Sequence, residues 1–213
     1  EVVGEAATDL YQQAQIMLKE IVSKQLFDAR AVFSLAPAKR TAADTVAIYD
    51  EQQHATHKFE HTRQQSDKVS GKPNFSLADF IAPADTNLED YLGGFTVSIF
   101  GAEEMAHEYK AKGDDYSAIL AQSLGDRFAE AFAEHLHERI RKEFWGYQAA
   151  EQLTNAELIK EKYFGIRPAP GYPACPEHSE KAVLFDWLDS TKAIGTELTS
   201  SFAMWPPSSV SGF

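Results

Sequence analysis

The sequence is poor in features that would place it outside a reducing, aqueous compartment. Cys175 is its only cysteine, which excludes an internal disulfide and points to a cytoplasmic setting. No apolar run approaches the roughly 20 residues that span a bilayer, and Glu1-Val2-Val3-Gly4-Glu5 carries neither the basic nor the apolar segment of a secretory leader. Positive charge is also scarce: 20 Lys and Arg against 32 Asp and Glu give a net charge of −12. Such a field repels nucleic acid and anionic lipid, so neither is expected as a partner. The glycine-rich turn of a Rossmann nucleotide site, the P-loop and the Gly-x-Ser-x-Gly elbow are all missing, and Gly93-Gly94 alone is too little to replace them. What remains is an ordinary globular composition, 44% apolar and 24% charged, enough to bury a core in one domain or two small ones.

Proline is concentrated where it says most. Arg167-Pro168-Ala169-Pro170-Gly171-Tyr172-Pro173 suits neither helix nor sheet, because each proline fixes φ and removes a donor while Gly171 permits a turn. A stiff loop of this kind delivers Arg167 and Tyr172 in fixed positions. The guanidinium fork fits a carboxylate, and the tyrosine offers a π face to a cation and a phenol for hydrogen bonding. Together they suit a zwitterionic, cationic ligand; the plainer alternative is a connecting loop whose arginine pairs with a structural carboxylate.

Periodicity sets out the rest of the chain. Leu10, Ala14, Met17, Leu18 and Ile21 predict an amphipathic helix over 6–22. Segments 31–35 and 45–49 read as strands separated by a polar stretch containing Pro37, 57–63 as a third strand or a helix start, 66–72 as a loop, and 95–100 as a buried strand. A short helix over 103–112 should stop before Gly113. The next helix, from Asp115 to about Tyr147, has Tyr116, Leu120, Leu124, Phe128, Phe132, Leu136, Ile140 and Phe144 at four-residue spacing. Each step overshoots a turn by roughly 40°, so successive portions must face different neighbours. A last helix is expected over 180–194, with Val183, Leu184, Trp187 and Leu188 inward and Gly195 as its stop. These elements give an α+β fold, a mainly antiparallel twisted sheet flanked by helices with one long central helix.

On that long helix Asp126, Glu130, Glu134 and Glu138 form an acidic ridge, read either as a solvated face partly offset by Arg127, Arg139 and Arg141 or as a site awaiting a cation. His135 and His137 flank it as surface or supporting groups. His57 and His61 with Glu60 lack the His-Glu-x-x-His pattern, so no metal site is assigned. Cys175 has no second cysteine and no evident base, which favours packing over nucleophilic chemistry.

The run Gly165-Ile166-Arg167-Pro168-Ala169-Pro170-Gly171-Tyr172-Pro173-Ala174-Cys175-Pro176-Glu177-His178 resembles the C-terminal activation domain of cobalamin-dependent methionine synthase, where an Arg-x-x-x-Gly-Tyr motif binds S-adenosylmethionine. Three further blocks are similar to the same domain: Leu77 to Pro83, then Asp114-Asp115-Tyr116 with 126–134 and 137–141, and finally Glu197 to Pro206 with Val210 to Phe213. The resemblance covers nearly all of the chain. It implies that 1–213 is one activation domain whose family counterpart starts upstream of Glu1 and continues past Phe213, with ligand contacts from both outer pieces; 210–213 reads as the start of a strand.

The resemblance also implies roles. Arg167 would grip the methionine carboxylate, the Ala169 backbone would meet the adenine, Gly171 would shape the turn, and Tyr172 would line the methyl side. Glu130 and Glu161 would face the cationic end. Asp126, and Glu104 by alignment, would contact the cobalamin-binding domain of the same polypeptide. The family enzyme moves a methyl group from methyltetrahydrofolate to homocysteine through cobalamin, which a neighbouring domain holds; zinc belongs to yet another domain. Its activation domain supports reductive remethylation of cob(II)alamin, with the electron from flavodoxin or an equivalent reductase. No catalytic residue is implied within the domain itself, which acts as the binding part of a larger methyltransferase. Two other readings stand beside this one: an acidic docking module indifferent to S-adenosylmethionine, and a hydrolase using Asp126 and Glu130.

Overall fold

The computed structural model of the chain describes residues 2–69 and 71–213. A five-stranded sheet in the order β3-β2-β1-β4-β7 organises it, built from β1 (Asp28–Arg40), β2 (Thr45–Tyr49), β3 (Ala55–Glu60), β4 (Tyr91–Phe100) and β7 (Ser209–Gly212). Every neighbouring pair is antiparallel. A two-stranded ribbon, β5 (Glu197–Leu198) with β6 (Met204–Trp205), lies outside it. The helices are α1 (Val2–Lys24), α2 (Ala102–Ala111), α3 (Asp115–Arg139), α4 (Asn155–Ile159), α5 (Glu180–Leu188) and α6 (Ser190–Ile194). Residues 66–69 and 71–72 are loop as expected, and Ser70 lies outside the described residues.

Strand alternation decides which helix covers which face. Ala31 and Phe33 of β1 and Phe95 and Val97 of β4 gather with Ala133, Leu136 and Ile140 of the α3 end. Residues of the opposite face, Val32, Ala36 and Ala38 of β1 and Leu92 of β4, gather instead with Leu184 and Leu188 of α5 and with Val46, Ile48 and Phe59. The sheet is therefore sandwiched, α3 on one side and α5 on the other. The earlier half of the α3 stripe turns elsewhere: Leu120 and Ala121 pack with Met17 and Ile21 of α1 and Met105 of α2. The four-residue spacing thus does what its overshoot requires, serving a helical layer first and the sheet afterwards.

The strands β1 and β4 and the first helix run longer than the sequence expectation, and three further differences each have a local reason. Pro37 lies inside β1 rather than between strands. Ala38 directs its N–H to the Asp90 carbonyl, so the position of Pro37 faces the other neighbour, and the pairing with β2 begins only at Ala38. No ladder bond is lost there. The helix expected over 180–194 is two helices, parted by Asp189 at φ 49°, a left-handed conformation that aspartate tolerates better than most residues. The long helix leaves α geometry at Ile140 for one wide π turn, Ile140–Phe144, before Gly146 ends it. That turn carries Arg141 into full burial, where Glu151 meets it with two bonds of 2.8 and 2.6 Å.

The Leu77–Phe80 turn is fixed from both ends. Ser76 and Asp79 form a reciprocal cap, and Arg63 grips Asp79 through bonds of 2.6 and 3.0 Å. The Arg63 guanidinium holds the Asp79 carboxyl down to about 2. Helix α4 lies outside the elements that periodicity predicts, although Thr154 and Glu157 spell its cap, each side chain meeting the other's backbone N–H.

Candidate functional site

The proline loop is as rigid as its sequence requires. Gly171 has φ 100°, donates to the Cys175 carbonyl at 2.7 Å, and receives the His178 ring so closely that a Cβ there would fall 2.1 Å from its Cε1. Cys175 returns a bond to the Tyr172 carbonyl at 2.9 Å. The Cys175 thiol is buried, and burial pushes it up to about 12, so the residue packs and is no nucleophile. On the opposite side the loop is stapled to the sheet. Phe213 N–H donates to the Pro168 carbonyl at 3.0 Å, and a Cβ on Gly212 would stand 2.5 Å from that oxygen. Tyr172 projects from this frame with 67% of its surface exposed.

Arg167 points the other way, onto α3. Its Nη2 donates to Glu134 Oε2 at 2.6 Å, and its Nη1 lies 3.0 Å from His137 Nδ1. Glu134 and His137 are three residues apart and share one helix face. Burial, with the Arg141 and Arg167 guanidiniums, holds the His137 imidazole down to about 3, so the ring is neutral; because a guanidinium only donates, Nδ1 accepts from Arg167 and the ring proton sits on Nε2. The Tyr163 ring closes over His137 edge-on at 5.0 Å. Both sequence readings of Arg167 meet here: it has a structural carboxylate, yet its side chain keeps 20% exposure and N–H donors to spare.

The acidic ridge is not an open field of charge. Asp126 accepts from Ser208 Oγ at 2.8 Å, Glu130 pairs with Arg127 at 2.8 Å, Glu134 with Arg167, and Glu138 with Lys142 at 3.3 Å. Of the three arginines expected to offset it, only Arg127 does so; Arg139 pairs with Glu143 and Arg141 with Glu151. Glu104 caps α2, accepting from Gly101 N–H at 3.1 Å. It and Asp126 flank the close approach of α2 and α3, where a Cβ on Gly125 would touch Ala102. Glu161 is exposed and left-handed at φ 52°, leading through Tyr163 towards Arg167. Glu130 precedes Glu134 by one turn. The loop and the α3 face thus come together around Arg167, whereas Asp126 and Glu104 mark a separate junction.

A groove of about 640 Å³ runs from Arg167, His137 and Pro168 past Trp145, Tyr147 and Phe164 to Leu77, Phe80 and Ile81. Two widely separated stretches of sequence, 77–81 and 165–168, therefore line one surface. Glu134 and His137 were not singled out as ligand-site residues, since their tie to Arg167 spans 33 and 30 positions; the available signal was an acid and a histidine at helical spacing beside Glu130.

Beneath the loop lies a second polar cluster. His61, with a side chain only 1% exposed, stacks on Phe59 and places Nδ1 3.6 Å from Glu180 Oε2. Glu180 Oε1 accepts from Glu60 N–H at 2.9 Å. Burial lowers His61 to about 4 and raises Glu180 to about 7, so both are uncharged between those two values. His57 pairs instead with Asp186 at 3.3 Å. Among the described residues, no group of three or more His, Cys, Asp or Glu assembles as a metal site, and no helix is long and apolar enough to cross a membrane.

Comparison with known proteins identifies the family and the fold. A family model described as the activation domain of vitamin B12 dependent methionine synthase matches residues 1–213. Among solved structures, a crystal structure of the MetH reactivation domain bound to AdoHcy superposes with a TM-score of 0.92 at 47% sequence identity. The alignment takes in 100% of this chain and 66% of that one. The chain belongs to the activation-domain family of vitamin B12 dependent methionine synthase.

Proposed function

We propose that this chain binds S-adenosylmethionine and serves as the reactivation domain of a cobalamin-dependent methionine synthase, supporting reductive remethylation of cob(II)alamin. One observation carries the reading. Arg167 is held, with unspent donors, at a rigid loop that also carries the exposed Tyr172, in a chain 47% identical to a domain described as bound to AdoHcy. The residues present fit the ligand. Arg167 offers a fork to the α-carboxylate, Tyr172 a π face to the sulfonium, and the Ala169 backbone polar groups to the adenine. Gly171 keeps the turn between them tight. Glu130 and Glu161 supply negative charge towards the cationic end.

When bound, the ligand supplies an already activated methyl group, so the chain needs no general base. Its own work is to bind, orient and present. Asp126 and Glu104, at the α2–α3 junction, would meet the cobalamin-binding domain of the same polypeptide. Flavodoxin or an equivalent reductase would provide the electron, the setting would be cytoplasmic, and zinc would belong to another domain. The methyltransferase activity is that of the whole enzyme. The alternative of an acidic docking module without this ligand has less behind it, because the acids of the ridge already have partners within the chain.

Calorimetric titration of S-adenosylmethionine into the chain tests the proposal. The expected result is saturable heat that falls sharply in Arg167→Ala; a folded wild type that gives none contradicts it.

A further inference from the structure

The Arg167 guanidinium is anchored before any ligand arrives. Glu134 takes one N–H of Nη2 and His137 one N–H of Nη1, both from a single face of α3. Two anchors on different nitrogens fix the plane of the group as well as its position, and the remaining donors of the fork stay unspent. A lone exposed arginine would have to give up much rotamer freedom on binding; one already clamped has given it up in folding.

Glu134 is itself held in place. Its Oε2 holds Arg167 at 2.6 Å, while its Oε1 is buried and makes no hydrogen bond among the described residues, so the pairing with Arg167 is what orients this carboxylate. His137 is more confined, buried in the helix face with the Tyr163 ring edge-on against it. As a neutral ring accepting at Nδ1, it adds a bond without adding a positive charge beside Arg167.

We propose that Glu134 and His137 are positioning residues for ligand recognition, clamping Arg167 so that its free N–H donors meet the α-carboxylate of the ligand's amino-acid part. The inference rests on the proposed S-adenosylmethionine site and deepens it. The clamp makes affinity depend on that carboxylate, and so separates ligands carrying the amino acid from thioether nucleosides lacking it.

The test compares two probes, S-adenosylhomocysteine and 5′-methylthioadenosine, each measured by competition against the wild-type chain and its variants. Glu134→Ala should weaken S-adenosylhomocysteine by tenfold or more and leave 5′-methylthioadenosine within twofold. Glu134→Gln, which retains an acceptor, should recover part of the loss, and His137→Ala should show a smaller loss with the same selectivity. If Glu134→Ala fails to fold, Glu134→Gln carries the test with a threefold or greater selective loss. Equal weakening of both probes assigns Glu134 a merely structural role and overturns the clamp. If Arg167→Ala weakens S-adenosylhomocysteine while neither Glu134 variant does, the clamp fails and the site stands. If Arg167→Ala changes nothing, the site reading falls and the clamp with it.

Discussion

Two arginine–carboxylate pairs sit close together at the end of the long helix, and they differ in almost every respect that matters. Arg141 and Glu151 are closed: side-chain exposures of 0% and 6%, two hydrogen bonds, and the Tyr163 ring 4.4 Å from the guanidinium carbon. Arg167 and Glu134 are half open, at 20% and 29%, with one bond between them and a neutral histidine completing the grip. The closed pair joins the π turn to the segment that follows it. The open pair holds a guanidinium at the surface of a groove. Burial and bond count, and not residue type, separate an arginine that stabilises from one that can recognise.

The largest effect should come from opening the closed pair. Arg141→Ala leaves the Glu151 carboxylate without its partner and should lose about 3–5 kcal/mol in denaturant unfolding. The double replacement Arg141→Met with Glu151→Leu should recover most of that, because an apolar pair of similar volume avoids the desolvation cost. A single variant of unchanged stability would erase the distinction between the two pairs.

Arg167→Ala should behave in the opposite way. Its stability cost should stay within about 1 kcal/mol, as for a partly exposed pair. Its affinity for S-adenosylmethionine should fall by about 2 kcal/mol, on the order of thirtyfold, as expected for a hydrogen bond to a charged group. Calorimetry and thermal unfolding on one preparation give both numbers.

The buried cluster adds a carboxyl with no cation against it. Glu180 titrates at about 7 in the folded chain against an ordinary 4.5, so between those values the folded state holds a proton that the unfolded state releases. Stability contributed by this group therefore falls as pH rises from about 4.5 to 7. Glu180→Gln removes the effect and should gain on the wild type by at most about 1.4 kcal/mol per pH unit across that window. Neutral buried His61 and His137 push the other way, losing stability as pH falls below 6.5, and both chains share them. A difference independent of pH would contradict the assignment. Smallest of all, Glu130→Gln should change stability by under about 0.5 kcal/mol, since its pair with Arg127 is mostly solvated.

Much of this was legible before the fold was known. The four-residue stripe from Tyr116 to Phe144 implied a helix changing neighbours, and the apolar run 95–100 an interior strand; both follow from periodicity. The proline loop was legible because three prolines and Gly171 leave the backbone few options. The expectation broke down where a single residue decides: Pro37 is harmless only because β2 pairing starts one residue later, and Asp189 divides a helix by adopting one left-handed conformation. The clamp on Arg167 was hidden for another reason. Sequence distance conceals which of four stacked acids an arginine will choose, and only the crossing of the loop over α3 selects Glu134.

The most direct test is a crystal structure of this chain with S-adenosylhomocysteine. The expected result is the ligand's α-carboxylate on the free edge of Arg167, with the Arg167–Glu134 and Arg167–His137 contacts intact beneath it. A ligand bound away from the 167–172 loop, or one whose carboxylate displaces Glu134 from Arg167, would contradict it.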